Sequence, residues 1–188
     1  MRKVKLQVQI SVDGFAGGPE GQMDYLVWNW DAALKDYVTE FTDASDTIIM
    51  GKVLYQGMSG HWASIPPESE QYPFAQKMNS YKKIVFSHSL GSELTWNNSR
   101  LATSDAASEI RALKEQPGKD ILVYGGARFV SGLIRENLID EYHLFVNPAA
   151  IGKGLAIFGE LQAYLKLSVA EVKLFPCGIT VMHYQPAK

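Results

Sequence analysis

Three short segments pair glycine or hydroxyl residues with a cation at the end of an apolar run. Ile121 to Tyr124 is followed by Gly125, Gly126, Ala127, Arg128 and Phe129. Glycines placed after a buried strand let the backbone come close to a phosphate. The free N–H groups of the next helix's first turn then face the anion, and Arg128 can add a charge-assisted contact. The same glycines also serve tight strand–helix packing, so this segment alone leaves both uses open. It is not a G-x-G-x-x-G fingerprint, and no acidic residue follows about 20 positions on in a matching βαβ unit. In the second segment Ile48, Ile49 and Met50 run into Gly51, Lys52 and Val53. In the third, Ile84 to Phe86 runs into Ser87, His88 and Ser89. Singly these two are weak signals. Three strand ends of one sheet carrying Gly-Lys, Ser-His-Ser and Gly-Gly-Ala-Arg describe a groove for a phosphorylated nucleotide.

A second group of polar residues surrounds a glycine-rich loop. Gly14, Gly17, Gly18 and Gly21 lie within eight residues, with Pro19 among them, and the segment ends at Asp24. Asp13 precedes the first of these glycines and reads as a turn residue bonding backbone. Asp24 is the better candidate for acid–base work, with capping or hinge duty as its alternative. Gln7 and Gln9 share one face of the first strand and can line a site. Trp28, Trp30 and Trp62 can stack on a planar ligand or pack in a core or an interface. Lys153, between Gly152 and Gly154, is a candidate for a substrate phosphate. His61, His88, His143 and His183 show no metal-ligand spacing, and His143 reads as packing within a strand. With one cysteine, Cys177, no metal site is expected from spacing. No G-x-S-x-G or Cys–His constellation supports covalent catalysis.

The elements that must carry these groups are legible in outline. Val4, Leu6, Val8 and Ile10 alternate with polar residues, which predicts a strand with unlike faces. Asp31 caps a helix bearing Leu34, Tyr37, Val38 and Phe41. Thr47 to Met50, Lys83 to Ser87, Arg100 to Thr103, Ile121 to Tyr124 and Tyr142 to Val146 read as strands. Residues 57–72, with Pro66 and Pro67, read as loop. Helices are predicted from Pro73 to Tyr81, after Asp105, and from the Gly-Gly turn to about Asn137. Val169 to Leu174 and Ile179 to Tyr184 flank Pro176, Cys177 and Gly178 as a hairpin. The expected fold is α/β in three layers. A central, mostly parallel sheet carries helices on both faces and ends in an antiparallel C-terminal hairpin.

Composition narrows the function class. The 188 residues include 18 Lys and Arg against 20 Asp and Glu, a formal charge of −2, and 46% are apolar. That balance is globular and excludes a polyanion footprint, so nucleic acid is not the expected partner. No apolar run is long enough for a transmembrane helix, and the N-terminus lacks a signal-peptide core. A single domain over residues 1–188 and a cytoplasmic location are expected, without a membrane partner.

The ordered set of motifs resembles the dihydrofolate-reductase-like superfamily. Within it, the closest likeness is to the reductase domain of the bacterial bifunctional riboflavin-biosynthesis deaminase–reductases and their stand-alone relatives. The residues that carry it are Ser11 to Asp24, then Met50, Gly51 and Lys52, Ser87, Gly125 to Arg128, and Asn147 and Pro148 through Gly152, Lys153 and Gly154 to Phe158. The resemblance implies a homodimer and NADPH-dependent hydride transfer to a small molecule, either a pyrimidine- or pterin-like heterocycle or a carbonyl or imine compound. Gly51, Lys52 and Val53 then match the nucleotide-binding Gly-Arg segment, with Lys in place of Arg. Ser87 and His88 match the turn at the adenosine 2′-phosphate, and Gly125, Gly126, Ala127, Arg128 and Phe129 the pyrophosphate turn. Gln9 lies beside the nicotinamide, the loop from Gly14 to Asp24 is the mobile flap, and Asp24 and Gln9 are the catalytic candidates. Gln7, Trp28 and Lys153 are the substrate-site candidates. Leu54 stands where many members have Thr. Asp31 and Asp36 straddle the carboxylate position of true dihydrofolate reductases, and Phe145 replaces its partner threonine. These departures weigh against a folate reductase and keep open a nucleotide-binding module without catalysis.

Overall fold

The computed structural model describes residues 1–91 and 93–187. Strand β1 (Val4–Ser11) buries Val4, Leu6, Val8 and Ile10 on one side, as its alternation requires. Helix α1 (Ala32–Asp43) starts where the Asp31 carboxylate accepts the Leu34 N–H. Then follow β2 (Ser45–Gly51), α2 (Lys52–Ser64), α3 (Tyr72–Ser80), β3 (Lys82–Phe86), β4 (Ser99–Leu101) and α4 (Ala106–Glu115). The chain closes with β5 (Asp120–Tyr124), α5 (Ala127–Arg135), β6 (Glu141–Asn147), β7 (Leu167–Leu174) and β8 (Thr180–Pro186).

These strands form one eight-stranded sheet in the order β4-β3-β2-β5-β1-β6-β8-β7. β4 to β6 pair in parallel, while β8 runs antiparallel to both β6 and β7. One face, through Leu6, Val8, Ile49 and Val123, packs on Ile110 and Leu113 of α4 and on Val130, Leu133 and Ile134 of α5. The opposite face meets α1, α2 and α3 through Phe41, Tyr55 and Met78, with Leu34, Val38, Phe145 and Val181 forming a separate cluster. This is the expected three-layer α/β arrangement. Among the described residues, no helix is long and apolar enough to cross a membrane.

The sequence expectation of loop over residues 57–72 is corrected. Helix α2 continues through Gly57 and Gly60 to Ser64. Each glycine costs helix propensity, but Tyr55, Met58 and Trp62 recur at helical spacing and pack on the second core cluster. Tertiary burial outweighs the local preference.

Lys83 is fully buried at the start of β3. Its Nζ donates to the carbonyls of Asn79 (3.1 Å), Tyr81 (2.7 Å) and Asn97 (2.9 Å), and sits 4.6 Å from the Trp96 ring centre. The ammonium ties the end of α3 to the segment entering β4. Burial pushes its pKa from 10.5 down to about 8. The folded chain therefore releases a proton at a pH where the unfolded chain still holds it. Stability contributed at this position rises with pH between those two values. Lys83→Met should lower stability at pH 7 by about 2–4 kcal/mol, because three buried carbonyls lose their donor. The gap to wild type should widen, by an amount on the order of 1–2 kcal/mol, between pH 8 and pH 9.5. Urea titrations at the two pH values check both, and a gap that narrows would refute the sign.

Candidate active site at the carboxyl edge of the sheet

Because β1 to β6 are parallel, their carboxyl ends lie along one sheet edge. That edge brings together Gly51, Ser87, Gly125 and Asn147, as nucleotide-binding α/β sheets do. Two neighbouring strands, β2 and β5, pass straight into helices. Gly51 precedes α2 and Gly126 precedes α5, and neither start carries a side-chain cap, whereas Asp31 and Asp105 cap α1 and α4. Two adjacent helix starts thus present first-turn N–H groups without a side-chain acceptor. Gly126 has φ +90°, a left-handed conformation that glycine adopts without strain. A Cβ on Gly51 would lie 3.1 Å from Cβ of Phe129, so a bare backbone lets α5 approach β2. The Phe129 ring in turn stacks on Phe86, 5.0 Å centre to centre.

Ala127 is buried beside this turn, and Arg128 is exposed in the first turn of α5. Lys52 Nζ donates to Ser89 Oγ at 2.9 Å, and Ser87 Oγ accepts the N–H groups of Ser89 and Leu90. His88 and Val53 are exposed on the same rim. The three strand-end segments singled out in the sequence therefore share one edge.

The neighbouring part of the edge centres on Asn147, a residue that sequence reasoning did not place in the site. It is fully buried at the end of β6. Its Nδ2 donates to Gln9 Oε1 at 2.8 Å and to the Phe145 carbonyl at 3.1 Å, and its Oδ1 accepts the Val27 N–H at 2.9 Å. One amide thereby joins β1, β6 and the segment before α1. Its only sequence signal is an Asn-Pro pair at a strand end. Gln9 is left with a buried Nε2 that has no partner among the described residues, and Gln7 with a similarly orphaned Oε1. An unpaired buried donor is costly, and it suits a ligand carbonyl or ring nitrogen. Gln7 lies deeper, opposite His143 in the register.

The glycine-rich loop is zipped to residues 149–156. Val12 N–H donates to the Ala149 carbonyl, Ala16 N–H to Leu155 and Leu155 N–H to Gly17, and Phe15 bridges Ala156. Asp13 accepts the N–H groups of Ile151 (3.1 Å) and Gly152 (2.7 Å) and the Ser11 hydroxyl (2.6 Å). The Ser11 hydrogen bond, aided by these backbone donors, holds the Asp13 carboxyl below its ordinary range. Asp13 is thus a loop clamp. The Tyr25 hydroxyl donates to the Phe15 carbonyl at 3.0 Å, and burial pushes its pKa up to about 12. Asp24, Trp28 and Lys153 are all exposed beside this loop, with no side-chain hydrogen bond among the described residues. Asp31 uses both oxygens, one on Leu34 N–H (3.0 Å) and one on Cys177 N–H (2.8 Å), and Asp36 is exposed on α1. Asp31 is therefore a helix cap rather than a proton donor.

The architecture is the dihydrofolate-reductase-like α/β fold. The chain belongs to the RibD C-terminal domain family, whose family model matches residues 2–181. It is 28% identical over 188 residues to the YyaP protein of Bacillus subtilis strain 168, covering 97% of this chain and 94% of that one. It is 24% identical over 161 residues to the riboflavin biosynthesis protein RibD of Corynebacterium ammoniagenes, covering 82% of this chain and 45% of RibD. Among solved structures, a protein assigned to riboflavin biosynthesis from Shewanella sp. PV-4 superposes with a TM-score of 0.74 at 20% identity, each chain covered fully. A diaminohydroxyphosphoribosylaminopyrimidine deaminase/5-amino-6-(5-phosphoribosylamino)uracil reductase from Thermotoga maritima superposes with a TM-score of 0.71 at 18% identity. That match covers 99% of this chain and 57% of the Thermotoga chain. Family membership supports a reductase-like activity.

Proposed function

We propose that residues 1–188 act as one reductase unit. It takes a hydride from NADPH and delivers it to a small planar heterocycle, pyrimidine- or pterin-like, or to a carbonyl or imine compound. The observation that carries this reading is the pair of adjacent, side-chain-uncapped helix starts at Gly51 and Gly126, with Arg128 exposed in the first turn of α5. Backbone N–H groups of both helices suit a pyrophosphate. Arg128, Lys52 and His88 are the groups for the 2′-phosphate, and Gly125, Gly126 and Ala127 keep the approach open. The cofactor supplies the hydride, and the chain supplies orientation and exclusion of water.

Gln9, held by Asn147, orients the acceptor through its free Nε2, with Gln7 below it. Trp28 and Lys153 extend the substrate side, and the loop ending at Asp24 covers it. Asp13 and Asp31 are both engaged by backbone N–H groups. Asp24 or water therefore delivers the proton that accompanies the hydride. The occupied Asp31 and the buried Phe145 weigh against a genuine dihydrofolate reductase. The chain is further proposed to work in the cytoplasm as a homodimer.

The test is a titration with NADPH and NADH followed by tryptophan fluorescence. NADPH should bind clearly more tightly than NADH. Arg128→Ala should weaken NADPH about tenfold or more, the value of one charge-assisted contact, and NADH about twofold or less. Equal losses for both cofactors would remove the 2′-phosphate role. Tight NADPH binding without oxidation by any pterin, pyrimidine riboside or simple carbonyl would indicate a binding module instead.

A further inference from the structure

Away from the cofactor edge, the start of β6 gathers three ligand-type side chains under α1. Glu141 and His143 are two residues apart and share a face of the strand. The antiparallel register puts His183 of β8 directly opposite His143. Glu141 Oε2 lies 3.5 Å from His143 Nε2 and 3.7 Å from His183 Nε2, and the three ligand atoms all fall within 4.8 Å of one another. We propose that Glu141, His143 and His183 bind one divalent transition-metal ion of the Zn²⁺, Co²⁺ or Ni²⁺ type, clamping the β7–β8 hairpin to β6.

Three observations support this site. First, neither buried Nε2 makes a hydrogen bond of normal geometry among the described residues, and each stands off the Glu141 carboxylate at 3.5 and 3.7 Å. His143 is only 5% exposed, so its orphaned nitrogen lies in the protein interior. A buried polar atom left unpaired is costly, and a metal bond removes that cost. Second, two ligands each about 2.1 Å from a tetrahedral ion stand about 3.4 Å apart, close to the two observed Glu–His separations. Third, side chains that would orient the ligands are in place. The Tyr37 hydroxyl and His143 Nδ1 form a 3.1 Å hydrogen bond, and Lys3 Nζ donates to the other oxygen of Glu141 at 2.6 Å. Partners of this kind fix the tautomer and orientation of a ligating histidine.

Two features set how the site loads. The imidazoles stack at 4.1 Å with 17° between their planes, so their lone pairs run side by side. Binding requires one ring to turn. His183 is the more exposed of the two, at 17% side-chain exposure against 6%, and it is the ring with room. Lys5 Nζ lies 3.7 Å from Glu141 Oε2, although Asp120 holds it more closely at 2.7 Å. The two lysines oppose a dication, so affinity should be moderate. Glu171, opposite His183 in the register, or water completes the coordination.

The experiment is calorimetric titration of the metal-stripped protein with Zn²⁺. Visible absorption of the Co²⁺ form and thermal unfolding with and without metal accompany it. One ion per chain, tetrahedral Co²⁺ bands and a raised Tm are expected. His183→Ala should weaken binding about a hundredfold or more, at or beyond the upper end of what losing a hydrogen-bond partner of a ligand costs. His88→Ala, exposed at the opposite edge, should leave binding unchanged. Circular dichroism of His183→Ala checks that the fold is kept. If that variant fails to fold, Glu141→Gln replaces it and should also weaken binding. No saturable binding, unchanged binding in the ligand variant, or loss of binding in His88→Ala would overturn the site.

Discussion

Gly154→Ala is expected to open the ladder between the glycine-rich loop and residues 149–156, lowering stability by about 2 kcal/mol and reductase kcat/KM by about tenfold or more. An alanine Cβ here would sit 2.1 Å from the Gly17 carbonyl oxygen and 3.1 Å from Phe15 Cβ. The first obstacle is backbone, so no rotamer change relieves it. That same carbonyl accepts the Leu155 N–H at 2.8 Å, and the Leu155 carbonyl accepts the Ala16 N–H at 2.9 Å. Moving Gly17 away therefore disrupts adjacent bonds of the ladder. Asp13 and Tyr25 both depend on this loop geometry, so the floor beside Gln9 loosens as well. Gly152→Ala is the control: φ is +74° there, but an added Cβ meets nothing within 4 Å. It should cost about 1 kcal/mol of backbone strain and leave the ladder closed. Amide exchange at Leu155 and Ala16 separates the two variants. Retained protection of both amides in Gly154→Ala would sink the argument.

Asn147→Ala should cost about 3 kcal/mol or more. The side chain is fully buried; it donates to Gln9 Oε1 and to the Phe145 carbonyl, more weakly to the Ile10 carbonyl, and accepts the Val27 N–H. Truncation leaves the Val27 N–H and Gln9 Oε1 facing a small cavity, and each unmet polar group carries its own penalty. For a chain of this length, that loss corresponds to a fall in Tm of about 6–12 °C. Asn147→Asp should not rescue the fold. A carboxylate can still accept from Val27 but cannot donate to Gln9 Oε1 or the Phe145 carbonyl, and it buries a charge. Scanning calorimetry of both variants provides the measurement, and a change within 1 °C for either would contradict the hub role.

Much of the fold was legible because its causes are local. The alternation in β1, the aspartate caps at Asp31 and Asp105, and the Pro-Cys-Gly turn between β7 and β8 each depend on neighbours a few residues away. The three strand-end segments were legible for a related reason. Parallel strands that each end in a glycine or hydroxyl turn must deliver those turns to one edge, whatever their order in the sheet. Helix α2 was misread from Gly57 onward because Gly57 and Gly60 are local signals against a helix. The burial of Tyr55 and the packing of Met58 and Trp62 that override them are not local.

What the tertiary structure alone decided follows from register. Gln9 is legible as a polar strand residue, but its bond to Asn147 spans 138 positions and exists only because β1 lies beside β6. Asp13 is readable as a turn residue, yet its partners, Ile151 and Gly152, come from the far end of the chain. The histidines have no metal-like spacing along the sequence. His143 and His183 meet because β8 returns antiparallel on β6 in one particular register, and a shift of one residue would send His183 to the opposite face. Local chemistry thus determined the strands, the turns and the shared edge. Only strand pairing decided which distant polar groups face one another, because that choice is made by burying whole faces of the sheet.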